Sequence, residues 1–242
     1  MFIIGENIHI ISDKVKQTIE TRDKRSLQDL ALRQIEAGAQ ALDLNIGPQK
    51  KRGPEVMEWV VKTVQEVVDV PLSLDTTNLQ AMETGLKLAQ CQAILNSTSA
   101  QPDRLENVPA LAAKYNAKLI ALAMGTSIPA TAEERVSIAL EKLVPRAMEL
   151  GIPMEDLYLD PLVLTVKGMQ DQASQAIEAV RFLKQTAVPP PQTVVGLSNV
   201  SNGVPREGRS LINCTFLVMR MAAGLDVAIA DPLDERLREF IR

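Results

Sequence analysis

The sequence predicts an α/β fold of one kind, a closed (β/α)8 TIM barrel in a single domain over residues 1–242. Three observations predict it. Short apolar runs ending on polar residues alternate eight times with longer amphipathic segments. The apolar runs show little inside–outside alternation, as strands buried on both faces of a parallel sheet do. The length of 242 residues matches the roughly 250 typical of such barrels. A doubly wound open sheet is the structural rival, and the lack of a Gly-x-Gly-x-x-Gly after the first strand counts against it.

The elements follow in order. Phe2–Gly5 is a strand that ends at Glu6 and Asn7. Leu27–Ala37 has helical periodicity and closes at Gly38, where glycine can take the left-handed conformation that a side chain disfavours. Ala41–Leu44 is the second strand, ending at Asn45, and Glu55–Val67 is a helix. Leu72–Leu74 ends at Asp75, after which Asn78 caps a helix to Ala89. Ala93–Leu95 ends at Asn96, and Asp103 is the expected cap of a helix to Tyr115. Leu119–Ala123 ends near Met124 and precedes a long helix, Thr131–Leu150, closed by Gly151. Leu157–Leu159 ends at Asp160, with a helix over Ala173–Gln185. AVPPPQ (187–192) reads as a rigid connection into strand seven. Val194–Leu197 ends at Ser198 and Asn199, and Leu211–Ala223 is a helix closed by Gly224. Val227–Ala230 ends at Asp231, and a last helix starts at Asp234. EAGAQALDLN, ELGIPMEDLYLD and AAGLDVAIAD repeat one helix–Gly–strand–polar unit.

Composition removes several classes. A net charge of −4 leaves no basic excess for nucleic acid, and 3% aromatic residues provide few platforms for base stacking. No run approaches the roughly 18 apolar residues of a membrane span, and MFIIGENIHI is too short and polar for a signal peptide. The protein therefore reads as cytoplasmic, with no nucleic acid and no membrane among its partners. Cys91 and Cys214 lie in apolar sequence without a metal-binding neighbour and read as reduced structural thiols. The single histidine, His9, cannot build a multi-His zinc site and leaves little room for a Ser/His/Asp triad. It is expected on the loop after strand one, solvated or facing a partner.

In barrels the active site lies at the C-terminal ends of the strands. Glu6, Asn7, Asn45, Asp75, Asn96, Asp160, Asn199 and Asp231 are far apart in sequence but converge on that rim. One strand-final Asp or Asn is ordinarily a helix cap or turn former. A set drawn from several strands points to a site. No lysine ends a strand, which disfavours a Schiff-base aldolase. Carboxylates without histidine suit Mg²⁺ through oxygen ligands, but Asp75 and Asp160 stand three strands apart and need not share an ion. A flat heterocycle rich in N–H groups suits the same side chains. A 2-amino-4-oxopyrimidine edge presents adjacent ring N–H and amino donors, which one carboxylate accepts with charge-assisted strength. Asparagine amides satisfy the remaining donors and acceptors. This is the pattern needed to hold a pterin, and no metal is expected.

The residues carry a resemblance as well. IIGENI (3–8), ALDLNIGP (41–48), LDTTN (74–78), LNSTS (95–99), MEDLYLDPL (154–162), GLSNVS (196–201), and LIN-x-TFL followed by GLD-x-AIAD (211–217, 224–231) occur in order over almost the whole chain. Together they resemble the corrinoid-dependent methyltetrahydrofolate methyltransferases, especially those that methylate the corrinoid iron–sulfur protein of the acetyl-CoA pathway. The fold family also includes the folate module of cobalamin-dependent methionine synthase and dihydropteroate synthase. The last is disfavoured because GLSN replaces its lysine-bearing strand-seven motif. The resemblance implies that Asp75, Asn96 and Asp160 grip the pterin ring, that Asn199 stands beside N5, and that Gly196 and Ser198 line the same wall. Asn7, Asp43 and Asn45 are implied as supporting contacts. The loop NGVPREGRS (202–210) departs from the family pattern, with Asn202 where a glutamine is expected as a further candidate contact to the pterin. A longer C-terminal helix of relatives is not matched before Arg242.

The implied reaction passes the methyl group of 5-methyltetrahydrofolate to Co(I) of a corrinoid. Asn199 is the implied catalytic residue, within a hydrogen-bond network around N5. The substrate is methyltetrahydrofolate, no tightly bound cofactor is expected, and the corrinoid (cobalamin) is supplied by a partner protein. No Asp-x-His-x-x-Gly motif marks a cobalamin domain. A homodimer is implied by the resemblance alone. Alternatives are a demethylating methyltransferase using a small corrinoid protein without an iron–sulfur cluster, a folate-binding barrel without turnover, and a metal-dependent barrel enzyme. The basic loop QKKRG (49–53) suits a folate glutamate tail or an acidic partner, with a solvated charge run as the simpler reading.

Overall fold

Each apolar run folds as a parallel strand, and each strand pairs with the next until the sheet closes on itself. The strands are β1 (Phe2–His9), β2 (Ala41–Asn45), β3 (Leu72–Asp75), β4 (Ile94–Ser99), β5 (Lys118–Leu122), β6 (Leu157–Asp160), β7 (Gln192–Gly196) and β8 (Val227–Ala230). They form one closed barrel in sequence order, with β8 pairing back on β1. The structure, a computed structural model, describes residues 1–241. The open-sheet alternative is thereby excluded.

Period-two alternation explains where the polar ends point. Ile4, Ala41, Ile94, Ile120, Tyr158, Val194 and Ile229 pack together inside the barrel as an apolar plug. Two residues further along the same strands stand Glu6, Asp43, Asn96, Leu122, Asp160, Gly196 and Asp231, all of which border a cavity at the open end. A strand that is apolar at one inward position and polar at the next is plug below and site above. The ladders between Gly5 and Ile8 and between Asn96 and Thr98 shift register, as strand rims often do near sites.

The surrounding helices are α1 (Asp13–Glu20), α2 (Lys24–Glu36), α3 (Gly53–Gln65), α4 (Leu79–Leu88), α5 (Pro102–Lys114), α6 (Ala132–Ile138), α7 (Val144–Glu149), α8 (Gln170–Leu183), α9 (Arg206–Ala223) and α10 (Glu235–Ile241). Gly38, Gly151 and Gly224 take positive φ after their helices, as the sequence implies. Asn78 caps α4 by accepting from the N–H groups of Gln80 and Ala81. Thr131 and Glu134 form a capping box on α6.

Several boundaries differ from the sequence reading. β1 runs on to His9, so the histidine ends a strand and is not on a loop. The short α1 lies outside the repeating pattern and went unforeseen. Asp103 does not cap α5; Gln101 is the cap residue and Pro102 opens the helix, where its missing N–H costs nothing. The long helix over 131–150 is interrupted by a π-turn at Ala139–Leu143. Pro145 follows at once, and it has no N–H for the i→i−4 ladder. β7 ends at Gly196, and Leu197–Ser201 form a 3-10 turn, so Ser198 and Asn199 sit on that turn and not on the strand. α9 begins at Arg206, so the second half of NGVPREGRS is helix. Cys91 is not in apolar surroundings: it is partly exposed and its thiol donates to Asp69 at 3.3 Å, whereas Cys214 is buried.

Candidate active site

The C-terminal strand ends open into a cavity of about 720 Å³. Asp43, Asn45, Asp75, Asn96, Asp160, Gly196, Ser198, Asn199 and Asn202 all line it. Asn7 does not. Its amide donates to the Asp231 carboxylate at 2.8 Å, so it supports a wall residue from behind.

One wall is a carboxylate pair. The register sets Asn45 beside Asp75 and Asp75 beside Asn96. Asn45 donates to Asp75 at 2.5 Å, and its own oxygen accepts the Gly47 N–H. Deeper in, Ser73 and Asn96 donate to Asp43 at 2.6 and 3.1 Å. Burial pushes Asp43 up to about 6. Burial, and then the Asp43 charge, hold Asp75 well above the usual carboxylate range.

Asp160 faces this pair from β6 and is 7% exposed. Its Oδ1 accepts the Leu162 N–H at 2.7 Å. Burial raises it to about 6, against that N–H and the charge of the buried Arg220 on α9, both of which favour the ionised form. At neutral pH it is therefore a desolvated carboxylate, the acceptor that adjacent N–H donors of a flat ring need.

The 3-10 turn after β7 supplies the third wall. Asn202 donates to Asn199 Oδ1 at 3.2 Å, which fixes the amide and leaves the Asn199 N–H groups for a ligand. A Cβ on Gly196 would stand 2.9 Å from Asn199 Nδ2. The glycine therefore lets the amide fold back over the strand end. Its φ of −78° suits any residue, so Gly196→Ala is expected to fold normally and displace only the amide. If Asn199 acts on the substrate, the variant should turn over about 10- to 100-fold more slowly, as misplacement by an ångström does. Equal thermal stability together with a reduced single-turnover rate is the signature; a wild-type rate would contradict it.

The remaining wall was not part of the sequence-derived binding set. Glu6 accepts a hydrogen bond from Ser198 Oγ. Burial pushes Glu6 up to about 8, opposed by the Ser198 bond and reinforced by Asp231 and Asp43. His9 also lines the cavity, and burial holds it below the usual histidine value. Arg206 and Arg209, from the first turns of α9, reach the mouth. The inward step of two residues from Ile4 was the signal that could have placed Glu6 inside. The 49–53 loop stays outside the cavity lining, where Arg52 pairs with Glu55 at 3.0 Å on the surface. Among the described residues no group of three or more His, Cys, Asp and Glu side chains is placed to hold a metal ion. No helix among them is long and apolar enough to cross a membrane.

Fold and site together define a barrel whose open end is a cavity of buried carboxylates and amides suited to a flat polar heterocycle. The profile of the family described as pterin binding enzyme matches residues 8–231, and the chain belongs to that family. It is 28% identical over 238 residues to the methylcorrinoid:tetrahydrofolate methyltransferase of Eubacterium limosum, covering 96% of this chain and 85% of that protein. It is also 28% identical over 240 residues to the methionine synthase of Mycobacterium tuberculosis, covering 95% of this chain but only 20% of that longer protein. Dihydropteroate synthase structures share the fold. That of Xanthomonas albilineans has a TM-score of 0.75 at 16% identity, covering 99% of this chain and 90% of that one. That of Thermus thermophilus has a TM-score of 0.71 at 21% identity, covering 98% and 90%.

Proposed function

We propose that the protein is a methyltransferase that passes the N5-methyl group of 5-methyltetrahydrofolate to Co(I) of a corrinoid held by a partner protein, with N5 activated through a hydrogen-bond network that includes Asn199. One observation carries the reading: Asp75, Asn96, Asp160 and Asn199 border a single cavity large enough for a pterin. Asp160 accepts paired N–H donors of the pyrimidine edge. Asp75 and Asn96 hold the opposite side of the ring. Asn199 donates to N5 as its electron pair develops, a contact that stabilises the transition state more than the ground state. Methyltetrahydrofolate and the corrinoid are both substrates here, and the barrel itself holds no resident cofactor. The names of the Eubacterium and Mycobacterium relatives support chemistry of this class. The Eubacterium name states the transfer from methylcorrinoid to tetrahydrofolate, and the same cavity serves either direction. The corrinoid iron–sulfur protein is the partner we favour. The test is incubation with methyltetrahydrofolate and reduced free cobalamin. Formation of methylcobalamin and tetrahydrofolate supports the reading; tight folate binding without transfer makes the chain a binding protein.

A homodimer belongs to the same proposal. Leu211, Met219 and Val218 on α9 are 57%, 49% and 42% exposed. Leu211 and Met219 line an apolar groove of about 680 Å³ between α8 and α9. Exposed apolar surface of this extent marks association sites. Leu211→Glu with Met219→Glu is expected to give monomers in sedimentation equilibrium where the wild type gives dimers. A monomeric wild type would remove the dimer from the account.

A further inference from the structure

The methyl-transfer reading leaves one chemical requirement unmet. A tertiary amine leaves poorly unless its nitrogen gains a proton, and the Asn199 amide has none to give at neutral pH. We propose that Glu6 is a further catalytic residue, the acid that delivers a proton to the pterin nitrogen as the methyl group departs, with Ser198 aligning its carboxyl. The proposal rests on the methyl-transfer reading above.

The geometry is specific. Glu6 stands on the inner face of β1, above Ile4 and within the cavity wall. The hydroxyl that reaches it belongs to Ser198, the residue before Asn199 on the same 3-10 turn. Acid and amide are thus presented by adjoining parts of one wall. The groups facing Glu6 are Ser198 after β7, Asp231 after β8 and Asp43 on β2. Both charged neighbours are acidic and disfavour a second negative charge. His9, on the same strand, faces Asp231, and Arg206 and Arg209 stand at the mouth of the same cavity. With its carboxyl pushed up to about 8 by burial, Glu6 is protonated at neutral pH. Asp75, whose carboxyl also favours its proton, is paired with Asp43. Asp160, at about 6, has lost its own.

The step balances. The C–N bond breaks with its electron pair on nitrogen, the Co(I) pair forms the Co–C bond, and cobalt becomes Co(III). Nitrogen takes the Glu6 proton, and the carboxylate regains one from water. In the reverse direction Glu6 receives the proton that N5 loses.

The experiment uses Glu6→Gln in the full chain, with single-turnover transfer from methyltetrahydrofolate to free cob(I)alamin followed across pH alongside folate affinity. General-acid catalysis contributes about 10²–10⁴-fold. The expected result is a rate at least about 100-fold lower, affinity near that of the wild type, and loss of the alkaline limb that the wild type shows near pH 8. Ser198→Ala keeps the acid but removes a bond that favours its ionised form, so its limb should move to higher pH. A merely structural Glu6 would not move that limb. A Glu6→Gln enzyme with wild-type rate and pH profile overturns this proposal alone. Folate binding without transfer by the wild type overturns the methyl-transfer reading and this proposal together.

Discussion

Asp160→Asn is expected to weaken methyltetrahydrofolate binding about 100-fold while leaving the barrel folded, because a charge-assisted acceptor is worth more than a neutral one. The carboxylate is desolvated, held by one backbone N–H, and backed by the Arg220 charge. An asparagine keeps an oxygen for the Leu162 N–H but turns an NH₂ group toward the donors of the pyrimidine edge. Donor then meets donor, and one ring N–H is left without a partner. Stability should move the other way. The folded-state value, raised to about 6 from an ordinary carboxylate value of 3.8, means that the folded chain binds more protons over that interval. Stability from this group is therefore lost as pH rises from 3.8 to about 6, and the cost of the buried charge is fully present above that. The asparagine has no such cost, so the ligand-free variant should melt no lower than the wild type at neutral pH. Wild-type folate affinity should also fall as pH drops below about 6 and Asp160 takes up its proton. Calorimetric titration checks both statements. Unchanged affinity in Asp160→Asn would reject the pterin clamp.

Asn199→Ala should lower single-turnover methyl transfer by about 10²–10³-fold, the usual effect of removing one preorganised donor aimed at developing charge. Affinity should change far less, since the contact to N5 strengthens only as the C–N bond breaks. The structure supplies the preorganisation. Asn202 holds the amide oxygen, and Gly196 leaves room for the amide nitrogen above the strand end. An equal loss in affinity and rate would make Asn199 a binding residue only, and an unchanged rate would remove it from the mechanism.

The barrel was legible because a βα unit writes itself twice, as an apolar run and as a glycine-closed helix. Gly38, Gly151 and Gly224 mark the joints by requiring positive φ. The strand-final carboxylates and amides were legible for the same reason: polar residues that end apolar strands must open onto the rim. Three features were not. Glu6 and Asn7 adjoin in sequence; the inward step from Ile4 could place Glu6 inside, but the bracing of Asp231 by Asn7 shows only in the fold. The end of β7 reads as apolar through Leu197, yet the chain turns at Gly196, because Leu197 and Val200 bury outward from a 3-10 turn. Asn202 breaks the family pattern, and its bond to the Asn199 amide shows only once the 3-10 turn is folded. The proton state of the site was beyond reach of sequence, since it depends on burial among side chains drawn from β1, β2, β3 and β6.

The most direct measurement is stopped-flow loss of the cob(I)alamin spectrum on mixing with enzyme and 5-methyltetrahydrofolate, for the wild type, Asp160→Asn and Asn199→Ala over a range of folate concentrations. The account predicts stoichiometric methylcobalamin and tetrahydrofolate from the wild type, a rate in Asp160→Asn recovered in part by higher folate, and a rate in Asn199→Ala that stays about 10²–10³-fold low however much folate is added. No methylcobalamin from a wild type that binds folate, or equal rates in all three, would contradict it.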